Sequence, residues 1–317
     1  MSHVVVTGAQ GFVGRALVKR LLAEGLGARA VSKLTLLDIA FDTPHADARA
    51  PQIAGSIADA SVRAQAYATP VDAVFHLASI PGGAAERDYA LGRAINLDAT
   101  LGLLEDLRGA AHGARAPRFV FASTVAVYGE QLPAVVDENT LPAPALSYGA
   151  HKLMGETLVA DATRLGWVQG CSLRLPGVVA RPGDGAGLVS AFMSQLFWKL
   201  AANEPITLPV SPTGVAWWIS VGACVDNLLL AATIDVERLN ARRSYQMPVL
   251  RLTMEDVVNA LAARFGEARK ALVSYAPDPF VERLFAAYPP LRTPEAERLG
   301  LRHDGDVEQL ITRAMAQ

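Results

Sequence analysis

The sequence is poor in cysteine, in long apolar runs and in charge of one sign, and each shortage narrows the possibilities. Its 317 residues include two cysteines, Cys171 and Cys224, which lie far apart and form no metal-ligand motif, so a buried, reduced pair is expected. No run approaches the roughly 20 apolar residues that cross a membrane. The 29 basic and 31 acidic residues give a net charge of -2 and no basic patch. We therefore expect neither a nucleic-acid nor a membrane partner.

Motifs for metal-dependent and serine-dependent hydrolysis are also missing. The six histidines include no i, i+4 pair and no H-E-x-x-H motif, so no metal site is predicted. There is no G-x-S-x-G elbow of the kind found in hydrolases. The first residues lack the charged and apolar segments of a signal peptide, which makes a cytoplasmic location the expectation.

What is present is an alternation of apolar strands and amphipathic helices. Strands are predicted at 4–6, 34–37, 71–77, 118–122 and 171–175, and helices at 12–24, 94–107 and 148–165. Such alternation is typical of a parallel sheet covered on both faces. Beyond residue 176 the chain becomes rich in Pro and Gly, with helices predicted at 188–202, 254–265 and 278–288. We expect one domain at 1–176 with a return at 218–236, and a smaller one at 177–217 and 237–317.

A glycine-rich turn follows the first predicted strand and opens the first predicted helix. Gly8, Gly11 and Gly14 are spaced G-x-x-G-x-x-G, which permits a tight turn, close approach of the backbone to a pyrophosphate, and close packing of helix on strand. The helix start, with Phe12 and Val13, supplies N–H groups and a positive dipole end for phosphates. At a strand-to-helix junction the pattern indicates a dinucleotide-binding turn rather than an ordinary loop.

Asp38, at the end of the second predicted strand, indicates which dinucleotide binds. A carboxylate at this place accepts hydrogen bonds from the adenosine ribose diol and repels a 2′-phosphate. NAD is therefore the expected cofactor, in preference to NADP. The alternative is a solvated aspartate at a strand end.

Taken together, these and later motifs resemble the extended short-chain dehydrogenases, the sugar-nucleotide epimerase and dehydratase family. The motifs are Gly8/Gly11/Gly14, Asp38, His76-Leu77-Ala78, Asn96, Ser123-Thr124, Val127-Tyr128-Gly129 and Tyr148-Gly-Ala-His-Lys152. The resemblance implies an α/β fold, a Rossmann-type doubly wound parallel sheet with a smaller, mostly helical C-terminal substrate cap, and bound NAD. It also implies cofactor contacts beyond the glycine turn and Asp38, from Ser56, Ile57, Leu77, Ala78, Ser123, Tyr148, Lys152, Pro176 and Val178.

Tyr148 and Lys152 are the candidates for the chemistry. They lie one helical turn apart, so their side chains face the same side. A phenol has a pKa of about 10, and a neighbouring cation favours its phenolate form. The resemblance makes Tyr148 the base that takes a hydroxyl proton, Lys152 the cation that promotes this, and Thr124 the residue that holds the substrate oxygen. Asn96 is either a satisfied core amide or a residue that shapes the backbone near the site.

Two departures from the family pattern argue against a nucleotide-sugar substrate. Members that bind such substrates carry R-Y-F-N-V-Y-G-P, whereas this chain reads Arg174-Leu-Pro-Gly-Val-Val-Ala-Arg181-Pro, which puts Gly177 at the Asn position. Those members also place an arginine two residues before an aromatic to clamp the diphosphate, where this chain has Ala216. Both changes remove diphosphate contacts.

Four segments, at 76–86, 147–156, 173–183 and 209–218, resemble a smaller subgroup of the family that oxidises sugar acids. The resemblance implies oxidation of the C2 hydroxyl of a four-carbon sugar acid, with D-erythronate giving 2-keto-D-erythronate as the expected reaction. Arg181 is the candidate for the substrate carboxylate, because a guanidinium binds a carboxylate through two hydrogen bonds. An ordinary surface arginine is the equally weighted alternative. Ser79 is expected to line the substrate pocket with Thr124 and Tyr148.

Two other functions stay open at this point. One is a nucleotide-sugar 4-epimerase or dehydratase, in which NAD recycles within each turnover. The other is a non-catalytic NAD-sensing protein, although a sensor has no need of Thr124, Tyr148 and Lys152. The predicted helices at 94–107 and 148–165 resemble those that form a dimer bundle in the family, so a homodimer is expected.

Overall fold

The computed structural model describes residues 2–110, 116–183, 185 and 188–316, apart from the side chains of residues 109 and 110. The strands are β1 Ser2–Thr7, β2 Val31–Asp38, β3 Gln52–Ala54, β4 Ala73–His76, β5 Arg118–Thr124, β6 Gln169–Leu175, β7 Gly177–Val179, β8 Ile206–Leu208, β9 Val215–Ser220, β10 Ser244–Gln246, β11 Leu250–Thr253 and β12 Val273–Tyr275. The α-helices are α1 Phe12–Glu24, α2 Ala60–Ala66, α3 Gly82–Arg87, α4 Tyr89–Arg93, α5 Ala99–Ala110, α6 Ser147–Arg164, α7 Ala191–Ala201, α8 Val221–Ala231, α9 Met254–Phe265, α10 Pro279–Phe285, α11 Pro294–Leu299 and α12 Val307–Met315.

Seven of these strands form one parallel sheet in the order β10-β6-β5-β4-β1-β2-β3. The order reverses between β1 and β4, which makes the sheet doubly wound, and the predicted α/β class is confirmed. Every residue of β1 and of β4 is buried. Strands buried on both faces read as short continuous apolar runs, and such runs marked β1 and β4 in the sequence. The carboxyl ends of β1 and β4 flank the reversal, where ligands bind in such sheets.

The chain divides into two compact units. The first comprises residues up to Val127, Pro142–Arg174 and Val225–Gln246, and the second comprises Tyr128–Leu141, Leu175–Cys224 and the chain from Met247 onward. This differs from the sequence-based division at 128–141, at 175–176, at 218–224 and at 237–246. The last difference arises because β10 pairs with β6, with Tyr245 opposite Leu173, and so completes the sheet of the first unit.

The second unit has an apolar core between a small sheet and helices α7, α9 and α12. The sheet has the order β11-β9-β7, and its centre is Trp218, which is fully buried among Phe197, Leu200 and Leu261. The neighbouring Trp217 is buried too, and its ring stacks on Tyr288 at 4.6 Å between centroids. Both tryptophans are therefore core residues of this unit.

Two expectations from composition can be compared with the structure. Cys171 and Cys224 are both buried and unbridged, as expected of a reduced pair. None of the helices in the described part of the chain combines the length and the apolar character needed to cross a bilayer.

Candidate active site

The glycine turn lies at the carboxyl end of β1, where the sheet order reverses. Gly8 has a φ of +70°, and a Cβ atom at this position would lie 2.7 Å from the backbone nitrogen of Ala78. A Cβ at Gly14 would lie 2.1 Å from the carbonyl oxygen of Gly8. A side chain at Gly8 or at Gly14 would therefore clash with the backbone. Helix α1 begins at Phe12, with its N-terminus toward the turn. This backbone cradle fits the pyrophosphate of a dinucleotide.

Asp38 lies beside that turn and is held in place by it. One carboxylate oxygen accepts a hydrogen bond from the backbone N–H of Gln10 at 2.8 Å, and the other accepts from its own neighbour, Ile39, at 2.7 Å. Phe12 is buried and Val13 half-buried in the first turn of α1. The position of Asp38 fits the ribose diol expected there.

Ser56 and Ile57, two of the expected cofactor contacts, follow β3. The backbone N–H of Gly55 donates to the carbonyl of Asp38 at 2.9 Å, which brings the segment next to the glycine turn. Ile57 is buried, and the hydroxyl of Ser56 accepts from the N–H of Ala58 at 3.3 Å. The nearby carboxylate of Asp59 caps α2 by accepting from Ser61 at 2.8 Å. Asp59 is therefore the N-cap residue of α2.

Leu77 and Ala78 leave β4 next to Thr7, the last residue of β1. The N–H of Leu77 donates to the Thr7 carbonyl at 3.1 Å, and that of Ala78 to the Thr7 hydroxyl at 3.3 Å. His76 bridges the Thr7 hydroxyl, at 2.8 Å, and the Thr100 hydroxyl, at 2.9 Å. Complete burial lowers the pKa of His76 well below its usual value, so this imidazole is a neutral structural bridge.

Asn96 shapes the backbone beside the candidate substrate residue Ser79. Its side-chain oxygen accepts from the N–H of Ile80 at 2.8 Å, and its nitrogen donates to the carbonyl of the same residue at 3.0 Å. Asn96 is thus a buried amide with both polar atoms hydrogen-bonded, and its partner is the backbone next to Ser79, so both earlier interpretations describe it. It lies in a π-helical turn, Ala94–Asp98, that precedes α5 within the single helix predicted at 94–107. Ser79 itself is half-buried.

Thr124, Tyr148 and Lys152 all belong to the first unit, on β5 and α6. Lys152 is only 1% exposed; its ammonium donates to the carbonyl oxygen of Ala122 at 2.8 Å and lies 5.9 Å from the centre of the Tyr148 ring. Thr124 ends β5, and its hydroxyl accepts from the N–H of Ala126 at 3.2 Å. Gly82 lies against Tyr148, since a Cβ there would be 3.8 Å from the tyrosine ring.

Burial dominates the electrostatics of Lys152. The loss of hydration lowers the pKa of its ammonium to about 7, and the nearby Glu156 opposes this by raising it. Lys152 thus changes charge close to neutral pH. A cation beside a phenol stabilises the phenolate, so the pair can remove a proton from an alcohol. NAD+, when bound, would supply the hydride acceptor.

A buried network behind Lys152 was missed by the sequence reasoning. Glu156 accepts from the Ser123 hydroxyl at 2.5 Å and from Arg174 through two hydrogen bonds, at 2.9 and 2.8 Å. Ser123, a predicted cofactor contact, is buried with its hydroxyl turned to this carboxylate. The available signal was the spacing of Glu156, which follows Lys152 by one helical turn on the same face of α6.

Glu86 braces the helix that carries Tyr148. Its carboxylate accepts a hydrogen bond from the backbone N–H of Ser147, the first residue of α6. An acidic group at this end also complements the helix dipole. The contact joins the segment that follows Ser79 to the start of the catalytic helix.

The remaining predicted residues lie in the second unit. Pro176 is buried, and Val178 is half-buried in β7 opposite Ile219 of β9. Arg181 follows β7 and is exposed, and its carbonyl accepts from the indole N–H of Trp198 at 2.9 Å. Their expected roles as cofactor and substrate contacts remain predictions.

Comparison with known proteins gives a consistent result. Residues 4–241 match the family described as "NAD dependent epimerase/dehydratase family". The chain is 36% identical over 319 residues to the D-erythronate dehydrogenase of Cupriavidus necator, covering 99% of this chain and 98% of that protein. It is 29% identical to the D-erythronate dehydrogenase of Haemophilus influenzae, covering 97% of each. The crystal structure of the nucleoside-diphosphate-sugar epimerase from Agrobacterium tumefaciens matches with a TM-score of 0.91 and 32% identity, covering 98% of this chain and 92% of that one.

Proposed function

Because the chain belongs to the NAD dependent epimerase/dehydratase family, we propose that it is an NAD-dependent dehydrogenase that oxidises the C2 hydroxyl of a small sugar acid. D-erythronate, which would give 2-keto-D-erythronate, is the first substrate to consider. The observation that carries this proposal is the near-complete coverage of two D-erythronate dehydrogenases, at 36% and 29% identity. NAD is the cofactor, and the cradle at Gly8 and Gly14 together with Asp38 fits it.

The packing at two positions supports a substrate without a diphosphate. A Cβ at Gly177 would lie 3.0 Å from the carbonyl oxygen of Trp217 and 3.1 Å from the methyl group of Met193, so the asparagine of nucleotide-sugar enzymes would require these neighbours to move. Ala216 is fully buried opposite Leu252 in the small sheet. An arginine at that position would have its charge inside an apolar core.

The proposed reaction assigns a proton step to the first unit. Tyr148, as phenolate, takes the proton of the C2 hydroxyl, and the Thr124 hydroxyl holds the same oxygen. Lys152 favours the phenolate through its charge, and this contribution is lost as the pH rises through its pKa of about 7. NAD+, which the glycine turn and Asp38 would hold, would accept the C2 hydride, so that the carbon becomes a ketone and its two electrons pass to the cofactor.

The substrate carboxylate needs a cation, and the second unit contains the candidate. Arg181 is exposed, and its carbonyl oxygen accepts a hydrogen bond from the indole N–H of Trp198 at 2.9 Å. Two parallel N–H donors of one guanidinium match the two oxygens of a carboxylate. We assign Arg181 to the substrate carboxylate and Ser79 to substrate binding beside Thr124 and Tyr148.

A second candidate is nucleotide-sugar epimerisation, favoured by the 32% identity and TM-score of 0.91 to the Agrobacterium tumefaciens structure. An epimerase would keep its cofactor through each turnover and produce no net NADH. The two functions therefore differ in a simple observable.

The decisive experiment follows NADH formation with NAD+ and a panel of sugar acids that includes D-erythronate and D-threonate, beside UDP- and GDP-sugars. NADH growth with one acid, and much less with NADP+, is the expected result. Conversion of a nucleotide sugar without net NADH, together with silence from every acid, would overturn the proposal in favour of an epimerase. The same panel run with the Tyr148→Phe variant controls for contaminating dehydrogenases.

We propose that the protein is a cytoplasmic homodimer, as expected from its sequence. A homodimer through α5 and α6 is supported by large apolar side chains exposed on them, Leu101 at 38% and Met154 at 43%. A cytoplasmic location suits a metabolic dehydrogenase. Sedimentation of the wild type beside a Leu101→Glu/Met154→Glu variant tests the dimer, and an unchanged mass would refute this interface.

A further inference from the structure

We infer that Glu156 and Arg174 are positioning residues for the catalytic pair, with the carboxylate of Glu156 holding Lys152 in its cationic form and Arg174 limiting how strongly it does so. This inference rests on the proposed function for its catalytic meaning, because Lys152 acts there as a cation. Its physical content, the charge of Lys152, is independent of any substrate. The evidence comes from the arrangement of buried polar groups around α6.

Glu156 is 3% exposed, and its carboxylate accepts hydrogen bonds from Ser123 and Arg174. One oxygen receives the Ser123 hydroxyl at 2.5 Å and the Nε of Arg174 at 2.9 Å, while the other receives an Nη of Arg174 at 2.8 Å. The guanidinium is also largely buried, with its side chain 12% exposed. A two-point pair of this kind fixes both partners and joins α6, β5 and β6.

Lys152 lies one turn before Glu156 on the same buried face of α6. Its ammonium is 1% exposed and donates to one backbone carbonyl, that of Ala122, at 2.8 Å. A buried ammonium loses its proton easily unless an anion stabilises the charged form. Glu156 is the acidic group that raises the pKa of Lys152 against the effect of burial.

Other titratable groups near Lys152 do not replace this carboxylate. On α6 itself Tyr148 faces the ammonium, and on β4 His76 is held neutral by burial. Three charged groups lie on the elements packed on another side of α6 and act on His151, namely Glu86, Arg93 and Asp98. Within the described part of the chain, Glu156 is thus the acidic group that acts on Lys152, and its own charge is balanced by Arg174 on β6.

Substitutions of Glu156 and of Arg174 are expected to shift the titration midpoint of Lys152 in opposite directions. Glu156→Gln removes the anion and leaves Arg174, so Lys152 should lose its proton at lower pH, by roughly one pH unit or more. Arg174→Gln removes a cation and leaves the anion, so the same midpoint should move to higher pH. The double variant loses both charges, and its midpoint should lie between those of the single variants. A merely structural role would not produce shifts of opposite sign.

The chain offers a direct readout because it contains only five lysines. Lysine labelled with 13C at Cε gives few NMR signals, and the Lys152 signal is assigned as the one missing from Lys152→Met. Its titration midpoint is measured in the protein without cofactor or substrate. Ser123→Ala is the matched control, because it removes a hydrogen bond to Glu156 without changing any charge, and its midpoint should stay close to that of the wild type.

Rate measurements then connect the charge to the reaction. The alkaline limb of the kcat–pH profile should move to lower pH in Glu156→Gln and to higher pH in Arg174→Gln. Glu156→Asp should restore part of the wild-type profile. Equal NMR midpoints in the two single variants, or shifts in the same direction, would overturn the inference. If sugar-acid oxidation fails but the NMR midpoints diverge, the proposed function is wrong and the pairing inference stands. The double variant covers the case in which a single variant does not fold.

Discussion

The two units bury different kinds of side chain. Beside the carboxyl ends of β4 and β5, the first unit buries His76, Ser123, Lys152 and Glu156, each with a hydrogen-bond partner. The core of the second unit is a continuous apolar cluster centred on Trp218. Buried charge costs stability and is useful only where chemistry needs it, whereas apolar packing stabilises a fold without offering reactive groups. The contrast predicts that substitutions in the two regions separate activity from stability.

The largest effect is expected from removing one reactive oxygen in the first unit. Tyr148→Phe should lower kcat by roughly 10³-fold or more, because the general base is lost. NAD binding should persist, since the glycine turn and Asp38 are untouched. Calorimetric titration with NAD measures the binding, and initial rates with the best sugar acid measure kcat. Retention of full turnover would remove Tyr148 from the mechanism.

The next largest effect is expected in the apolar core of the second unit. Trp218→Ala should reduce the free energy of unfolding by about 3–5 kcal/mol, because it leaves a cavity and frees the carbonyl of Leu252 that accepts from its indole at 3.1 Å. Denaturant unfolding measures this change. Leu141→Ala in the same unit, at a side chain 84% exposed, is the control and should change the unfolding free energy by less than about 0.5 kcal/mol. Similar losses in both variants would contradict the assignment of Trp218 to the core.

A third prediction concerns the stability cost of the buried ammonium. The folded-state pKa of Lys152 is lowered from 10.5 to about 7, so between those values the unfolded chain binds more protons and the wild type gains stability as the pH rises. Lys152→Met, inactive as an enzyme, should therefore be more stable than the wild type below pH 7, by about 2–4 kcal/mol. The advantage should shrink as the pH approaches 10.5.

Thermal unfolding across pH measures this difference. Lys19→Met, on the exposed face of α1, provides the control and should show no such pH-dependent gain. A Lys152→Met protein that is less stable than the wild type at every pH would show that its hydrogen bond to Ala122 outweighs the cost of burial.

The smallest predicted effect tests whether Arg181, in the second unit, contributes to substrate binding. Arg181→Ala should raise KM for the sugar acid roughly tenfold, because a charge-assisted hydrogen bond is lost, and should leave kcat within about twofold. Arg164→Ala, at an exposed arginine of α6 that pairs with Asp161, is the matched control. Equal KM values in wild type and Arg181→Ala would exclude Arg181 from substrate binding.

Much of the fold could be predicted because its strongest signals are local. Helices α1 and α9 have the predicted bounds, since glycine ends α1 and a Thr253/Asp256 capping box starts α9. The three-residue strand β10 was missed because so short a segment carries no periodicity, and only its pairing with β6 makes it a strand. The π-helical turn at Ala94–Asp98 was missed for a similar reason. Within this turn Asn96 is hydrogen-bonded to Ile80, sixteen positions earlier, and no local pattern indicates that contact.

The candidate site likewise contains residues that local motifs predict and contacts that they do not. Gly8, Asp38, Tyr148 and Lys152 stand in short motifs whose spacing implies their geometry. The pairing of Glu156 with Arg174 joins a helix to a strand eighteen positions later, and no spacing rule connects them. The burial that moves the pKa of Lys152 toward 7 is likewise a property of everything packed around it.

The bond between Asp38 and the N–H of Gln10 has a consequence for anyone who would redesign cofactor preference. The carboxylate proposed to reject a 2′-phosphate also supports the loop that would cradle the pyrophosphate. A substitution that admits NADP therefore withdraws a brace at the same moment, and the loop needs another acceptor for the Gln10 N–H. Because Asp38 influences both the cofactor preference and the shape of the loop, a successful switch to NADP should require at least two coordinated substitutions.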